Sequence, residues 1–208
     1  MSAFSAAQLL RPGVLEGVTI MLARSQTSTL GDALGEGVAP LSASLRECPL
    51  PADEEAFALR LREEGAPDLL VVDAAGVSGS SDAPGREEMS STLQVTWEVT
   101  RTVAGALIEQ QRPGRIALVA PAADAGLPDQ QSFARATRAG LENLARTTSI
   151  EWARYGITPV AIMPGPDTPK ESLAALCAYL ASPAGSYFSG CVLALDGLAA
   201  VDPAGEPA

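Results

Sequence analysis

The chain has 208 residues, with 14 Lys+Arg against 25 Asp+Glu, a formal charge of −11 and no histidine. The absence of histidine excludes Ser-His-Asp and Cys-His nucleophile systems, an imidazole general base and histidine-ligated metal. The acidic balance argues against nucleic acid and anionic membranes as partners, since both call for a positive surface.

The length suits one domain with a sizeable core, and the 47% hydrophobic content is that of a folded protein. Only 4% of residues are aromatic, so Ala, Leu and Val carry the packing. Cys48, Cys177 and Cys191 are scattered, with no zinc or redox spacing, and read as reduced thiols. No apolar run reaches the roughly 20 residues of a membrane span. The N-terminus lacks the basic start of a signal peptide, so the expected location is the cytoplasm.

In chain order, residues 18–23 read as a buried strand and 37–42 as a weaker second strand, with Pro40 against it. Residues 53–64 form a helix stopped by Gly65. Residues 68–73 form a continuous buried strand, followed by a Ser/Gly/Pro loop over 77–85. A long helix over 87–111 precedes a strand at 114–120. A second long helix over 130–154 precedes a strand at 157–163. A helix over 170–181 and a strand at 191–195 complete the set, with one domain expected over 1–200 and a flexible tail at 201–208. Doubly apolar strands separated by helices predict an α/β fold: one doubly wound Rossmann-type parallel sheet with helices on both faces. Ligands of such folds sit at the carboxyl ends of the strands.

Several segments, in order, resemble the short-chain dehydrogenase/reductase family across nearly the whole chain. Leu70-Val-Val-Asp-Ala-Ala-Gly76 is similar to its Asn-Asn-Ala-Gly segment. Residues 114–121 resemble the strand ending at the catalytic serine, and 155–165 resemble the sixth strand and its Pro-Gly turn. Residues 180–190 and 192–197 resemble the C-terminal signature.

Under this resemblance the family's chemical residues are replaced. The active-site tyrosine falls on Ala134, the lysine four residues on falls on Arg138, the serine on Pro121 and the helix asparagine near Thr92. The three turn glycines that admit a pyrophosphate fall on Arg24, Ser28 and Leu30. The ribose-binding acid has no counterpart in 41–44. Gly76, the Pro164-Gly165 turn and Thr168 are kept. Ala134 has no ionisable group, and losing a positioned acid–base group costs about 10²–10⁴ in rate. Pro121 has neither a hydroxyl nor a backbone N–H. Arg24 either salvages phosphate binding by charge or plugs the pocket, and the plug is the favoured reading. Arg138 reads as a solvated helix charge.

The family's substrate lid is missing, because Thr168-Pro169 runs almost directly into the helix over 171–179. Lys170, the sole lysine, reads as an exposed helix start.

The resemblance also implies assembly. The two long helices would pack on a second subunit as a four-helix bundle, through Leu93, Trp97, Phe133, Ala136, Gly140, Leu144 and Trp152. The expected role is a non-catalytic subunit, without cofactor or metal. It would stabilise or modulate an active paralogue in a heterodimer or heterotetramer, or else form a homo-oligomer. One alternative is a ligand-sensing Rossmann protein holding CoA or an acyl group through Arg24 or Arg138. Another is an NAD(P)-dependent oxidoreductase with an altered site using Tyr155, Tyr179 or Tyr187.

Overall fold

The computed structural model describes residues 5–26, 28–50, 53–78, 85–123 and 128–195. The strands are β1 (Thr19–Arg24), β2 (Ser44–Pro49), β3 (Leu69–Asp73), β4 (Gly114–Val119), β5 (Ile157–Met163) and β6 (Val192–Ala194). The helices are α1 (Ala6–Leu9), α2 (Leu30–Val38), α3 (Glu54–Glu64), α4 (Ala74–Ser78), α5 (Arg86–Glu109), α6 (Pro128–Glu151) and α7 (Lys170–Ala181). All strand pairs are parallel, in the order β2-β1-β3-β4-β5-β6. The winding reverses between β1 and β3, and that switch point is where α/β sheets of this kind receive ligands.

Alternation along the strands builds two cores. Met21, Ala23, Leu70, Val72, Ile116 and Leu118 face the layer of α3, α5 and α6. Ile20, Leu22, Leu69, Val71, Ala117 and Val119 face the layer of α1, α2 and α7. Because both faces are covered, the central strands are apolar throughout, which is what makes them readable in the sequence.

The second strand is not at 37–42. That stretch ends α2 and forms a 3-10 turn, Ala39–Leu41, closed by Ser42 in the left-handed region (φ 65°). Pro40 supports the turn, since its fixed φ suits a helical first turn and it offers no ladder donor. The true strand, β2, lies at the sheet edge. It pairs only with β1 and is half exposed, so its residues Ser-Leu-Arg-Glu-Cys-Pro lack an apolar run.

Other boundaries follow local chemistry. The Asp53 carboxylate caps α3 by accepting from the Ala56 N–H at 2.8 Å, and Gly65 at φ 85° stops the helix. The loop expected over 77–85 begins inside a helix, since α4 runs to Ser78, and residues 79–84 lie outside the described residues. The tail at 201–208 lies outside the described residues. Among the described residues no helix is long and apolar enough to cross a membrane.

Candidate functional site

The carboxyl ends of β1, β3, β4 and β5 open on a cleft of about 220 Å³. Its lining comes from the loop before α2 (Ser28, Thr29, Leu30), the end of β3 and the start of α4 (Asp73, Ala75, Gly76), and Val119, Pro164, Lys170 and Leu173.

At the switch point the two loops are bonded to each other. The Ser28 hydroxyl donates to the Asp73 carboxylate and accepts from the Leu30 N–H at 3.3 Å. Asp73 also accepts from the Gly76 N–H at 3.1 Å, in the manner of a helix cap for α4, and Ser25 Oγ donates to the Gly76 carbonyl at 2.8 Å. The contact is close: a Cβ on Gly76 would lie 2.9 Å from Asp73 Oδ2, 3.0 Å from Ser28 Cβ and 3.1 Å from Ser25 Oγ.

Arg24 ends β1 and turns away from the cleft. Its Nη2 meets Glu47 Oε2 at 2.8 Å and its Nη1 donates to the Ser28 carbonyl at 3.3 Å. The guanidinium covers the first turn of α2, 3.0 Å from where a Cβ on Gly31 would stand. The ribose-binding acid was expected to have no counterpart in 41–44; the second strand lies instead at β2, which carries Glu47, and Glu47 holds Arg24.

The other positions that the resemblance aligns with catalytic residues are placed as follows. Arg138 is not a solvated charge. It is half buried, and its Nη1 donates to the carbonyls of Pro121 at 3.0 Å and Pro164 at 2.7 Å. The physical reason is that both carbonyls lie just past strand ends, where no ladder partner follows, so a long cationic donor is held between them. Ala134 is half buried on α6. Thr92 is fully buried on α5, and among the described residues its hydroxyl has no partner; Thr96 and Thr100 repeat this one and two turns on. Thr168 Oγ1 accepts from the Gly165 N–H at 2.8 Å, fixing the Pro-Gly turn. β5 ends at Met163 and α7 starts at Lys170, so a short turn stands where a lid would be. Lys170 is exposed, as expected for a helix start, but it also lines the cleft.

None of the three tyrosines lines the cleft. Arg154 lies over Tyr155 at 4.6 Å, Tyr179 meets Phe188 edge-on, and Tyr187 is exposed. Burial pushes the Cys177 thiol up to about 12, with the charge of Asp73 adding to the shift. Among the described residues no cluster could hold a metal ion.

The residues expected at a subunit interface meet mainly within the chain. Leu93 packs over Gly140, Phe133 lies against Gly85, and Trp97 stacks on Trp152 at 6.3 Å and 8°. Leu93, Leu144 and Trp152 pack against the core, while Ala136 and part of Trp97 (38%) are open to solvent.

Ser28 stands close against Gly76, Asp73 lines the cleft, and the volume of about 220 Å³ is below the about 300 Å³ typical of small-molecule sites. Sequence reasoning missed Asp73, Glu47 and Lys170 as parts of this edge. Its one available signal was Asp73, a charged residue closing the apolar strand Leu-Leu-Val-Val.

No family model matches the chain, and no curated protein matches it in sequence. Solved structures do match. A short-chain dehydrogenase from Mycobacterium smegmatis is 19% identical, with a TM-score of 0.72 over 89% of this chain and 94% of that one. A citronellol catabolism dehydrogenase from Pseudomonas aeruginosa is 21% identical, with a TM-score of 0.68 over 91% and 97%. A doubly substituted short-chain dehydrogenase/reductase from Serratia marcescens is 18% identical, with a TM-score of 0.69 over 88% and 98%. With the sheet order and the strand-end cleft, these likenesses establish that the chain has the fold of the short-chain dehydrogenase/reductases.

Proposed function

We propose that the protein is a non-catalytic subunit with this fold, which assembles with a catalytically active short-chain dehydrogenase and stabilises or modulates it. One observation carries the reading: three polar side chains at the ligand edge are bonded to the protein itself. Arg138 joins the carbonyls of Pro121 and Pro164, Arg24 is paired with Glu47, and Ser28 holds Asp73. No ionisable group stands at position 134 to pass a proton, and the scaffold around it is intact. The paired helices α5 and α6 supply a surface for a partner. Ile150 is 81% exposed on α6, and the Trp97–Trp152 stack leaves Trp97 partly open.

The test is native mass measurement on the chain alone and co-expressed with an intact short-chain dehydrogenase from the same genome. A mixed oligomer is the expected result. A monomer under both conditions overturns the proposal. The ligand-sensing alternative finds support in the cleft itself, although Arg24 and Arg138, its two expected anchors, are both engaged elsewhere.

A further inference from the structure

Asp73 is a buried carboxylate without a counter-charge. It is 5% exposed, and among the described residues no lysine or arginine pairs with it. Its hydrogen bonds come from neutral donors, the Ser28 hydroxyl and the Gly76 N–H. A buried aspartate is seldom left so, because taking a charge out of water is unfavourable unless an opposite charge offsets it. The cleft that Asp73 lines also carries Lys170, an exposed ammonium with no carboxylate partner among the described residues. The remaining lining includes Leu30, Val119, Pro164 and Leu173.

We propose that this cleft binds a small zwitterion, an α-amino acid with a short apolar side chain. The ligand ammonium donates to Asp73. Its carboxylate accepts from Lys170 at the start of α7, where the helix dipole also favours negative charge. Its side chain lies against Leu30, Val119 and Leu173. Both charges are needed. A purely anionic ligand sets a second negative charge beside Asp73, and a purely cationic one leaves Lys170 unmatched and repelled. The volume of about 220 Å³ suits a molecule smaller than the drug-sized ligands of ordinary sites.

The proposal rests on the reading that no dinucleotide occupies these strand ends, and it adds a ligand class to it. Titration calorimetry on the full chain near neutral pH tests it with L-leucine, isoamylamine and 4-methylpentanoate. The last two keep leucine's carbon skeleton and lose one charge each. Leucine is expected to bind saturably, and each analogue about tenfold more weakly or worse. Lys170→Gln is expected to weaken leucine by about tenfold, to strengthen isoamylamine by relieving its repulsion, and to be rescued for leucine by Lys170→Arg. Lys170 is exposed, so these variants leave the core intact. Absence of saturable leucine binding, equal binding of either analogue, or no effect of Lys170→Gln overturns the proposal. NADH is titrated in parallel. Tight NADH binding overturns the underlying reading, whereas silence of both leucine and NADH overturns only the amino-acid site.

Discussion

Replacing Arg138 with methionine tests whether the cation at the lysine position has become a structural joint. Methionine keeps the apolar stem and removes the donors. In the folded chain Nη1 bridges the Pro121 carbonyl at 3.0 Å and the Pro164 carbonyl at 2.7 Å, tying the ends of β4 and β5. Hydrogen bonds from a charged donor contribute about 1.5–3 kcal/mol, and a carbonyl left dry and unpaired costs about 1–3 kcal/mol. Part of the side chain is solvated, so a loss of about 3 kcal/mol is reasonable for the two acceptors together. For a domain of this size that lowers the melting temperature by roughly 6–12 °C. Differential scanning calorimetry reads it. Arg138→Lys should retain part of the stability, because an ammonium still donates to carbonyls but reaches them differently. A melting temperature for Arg138→Met within a degree or two of the parent refutes the joint.

Three further predictions follow from packing and burial. Thr96→Val removes a buried, unpartnered hydroxyl while keeping the shape of the side chain; it should stabilise the protein by about 1 kcal/mol, seen as a higher urea midpoint at constant slope. Gly76→Ala drives a methyl to 2.9 Å from Asp73 Oδ2 and 3.0 Å from Ser28 Cβ, and should lower stability by about 2 kcal/mol in the same assay. Cys177 has a thiol pKa raised from 9.0 to about 12, so its contribution is full below 9.0 and lost as pH rises toward about 12. Stability should fall by about 1.4 kcal/mol per pH unit over that window, and Cys177→Ala should flatten the slope; an unchanged slope in the variant refutes the assignment.

The central sheet was legible in the sequence because β1, β3, β4 and β5 are buried on both faces and therefore apolar without interruption. β2 was misplaced for the opposite reason. As an edge strand it is half solvated, and its charges Arg46 and Glu47 look like loop chemistry, while the Val-Ala-Pro-Leu stretch before it looks like a strand and is a turn. That error removed Glu47 from view and left Arg24 with no assigned partner. The long helices were found within a few residues, since their period is strong. Part of the face expected to meet a partner is the face they turn to one another, while Ala136 and part of Trp97 stay open. The pairing of Leu93 with Gly140 and of Trp97 with Trp152 depends on the angle between the helices, which periodicity does not encode. Lys170 was placed correctly on its helix, but its position on the cleft depends on where α7 docks.

The polar groups at the strand ends share one physical logic. A dinucleotide site exposes backbone donors at a helix start and keeps cations free, so the empty site carries unsatisfied groups that its ligand completes. In this chain those groups are completed from within. Ser28 brings an acceptor to the Leu30 N–H, Asp73 takes the Ser28 hydroxyl and the Gly76 N–H, and Arg138 takes two strand-end carbonyls. Internal completion stabilises the fold without a ligand, and a dinucleotide would have to compete for bonds already formed. The charge of Asp73 stands apart from this closure. The carboxylate of Asp73 receives neutral donors only, and its charge is left facing the cleft that Lys170 also lines. The remaining recognition chemistry of the edge is therefore ionic and short-ranged, and it favours a compact ligand carrying both signs of charge over an extended polyanion.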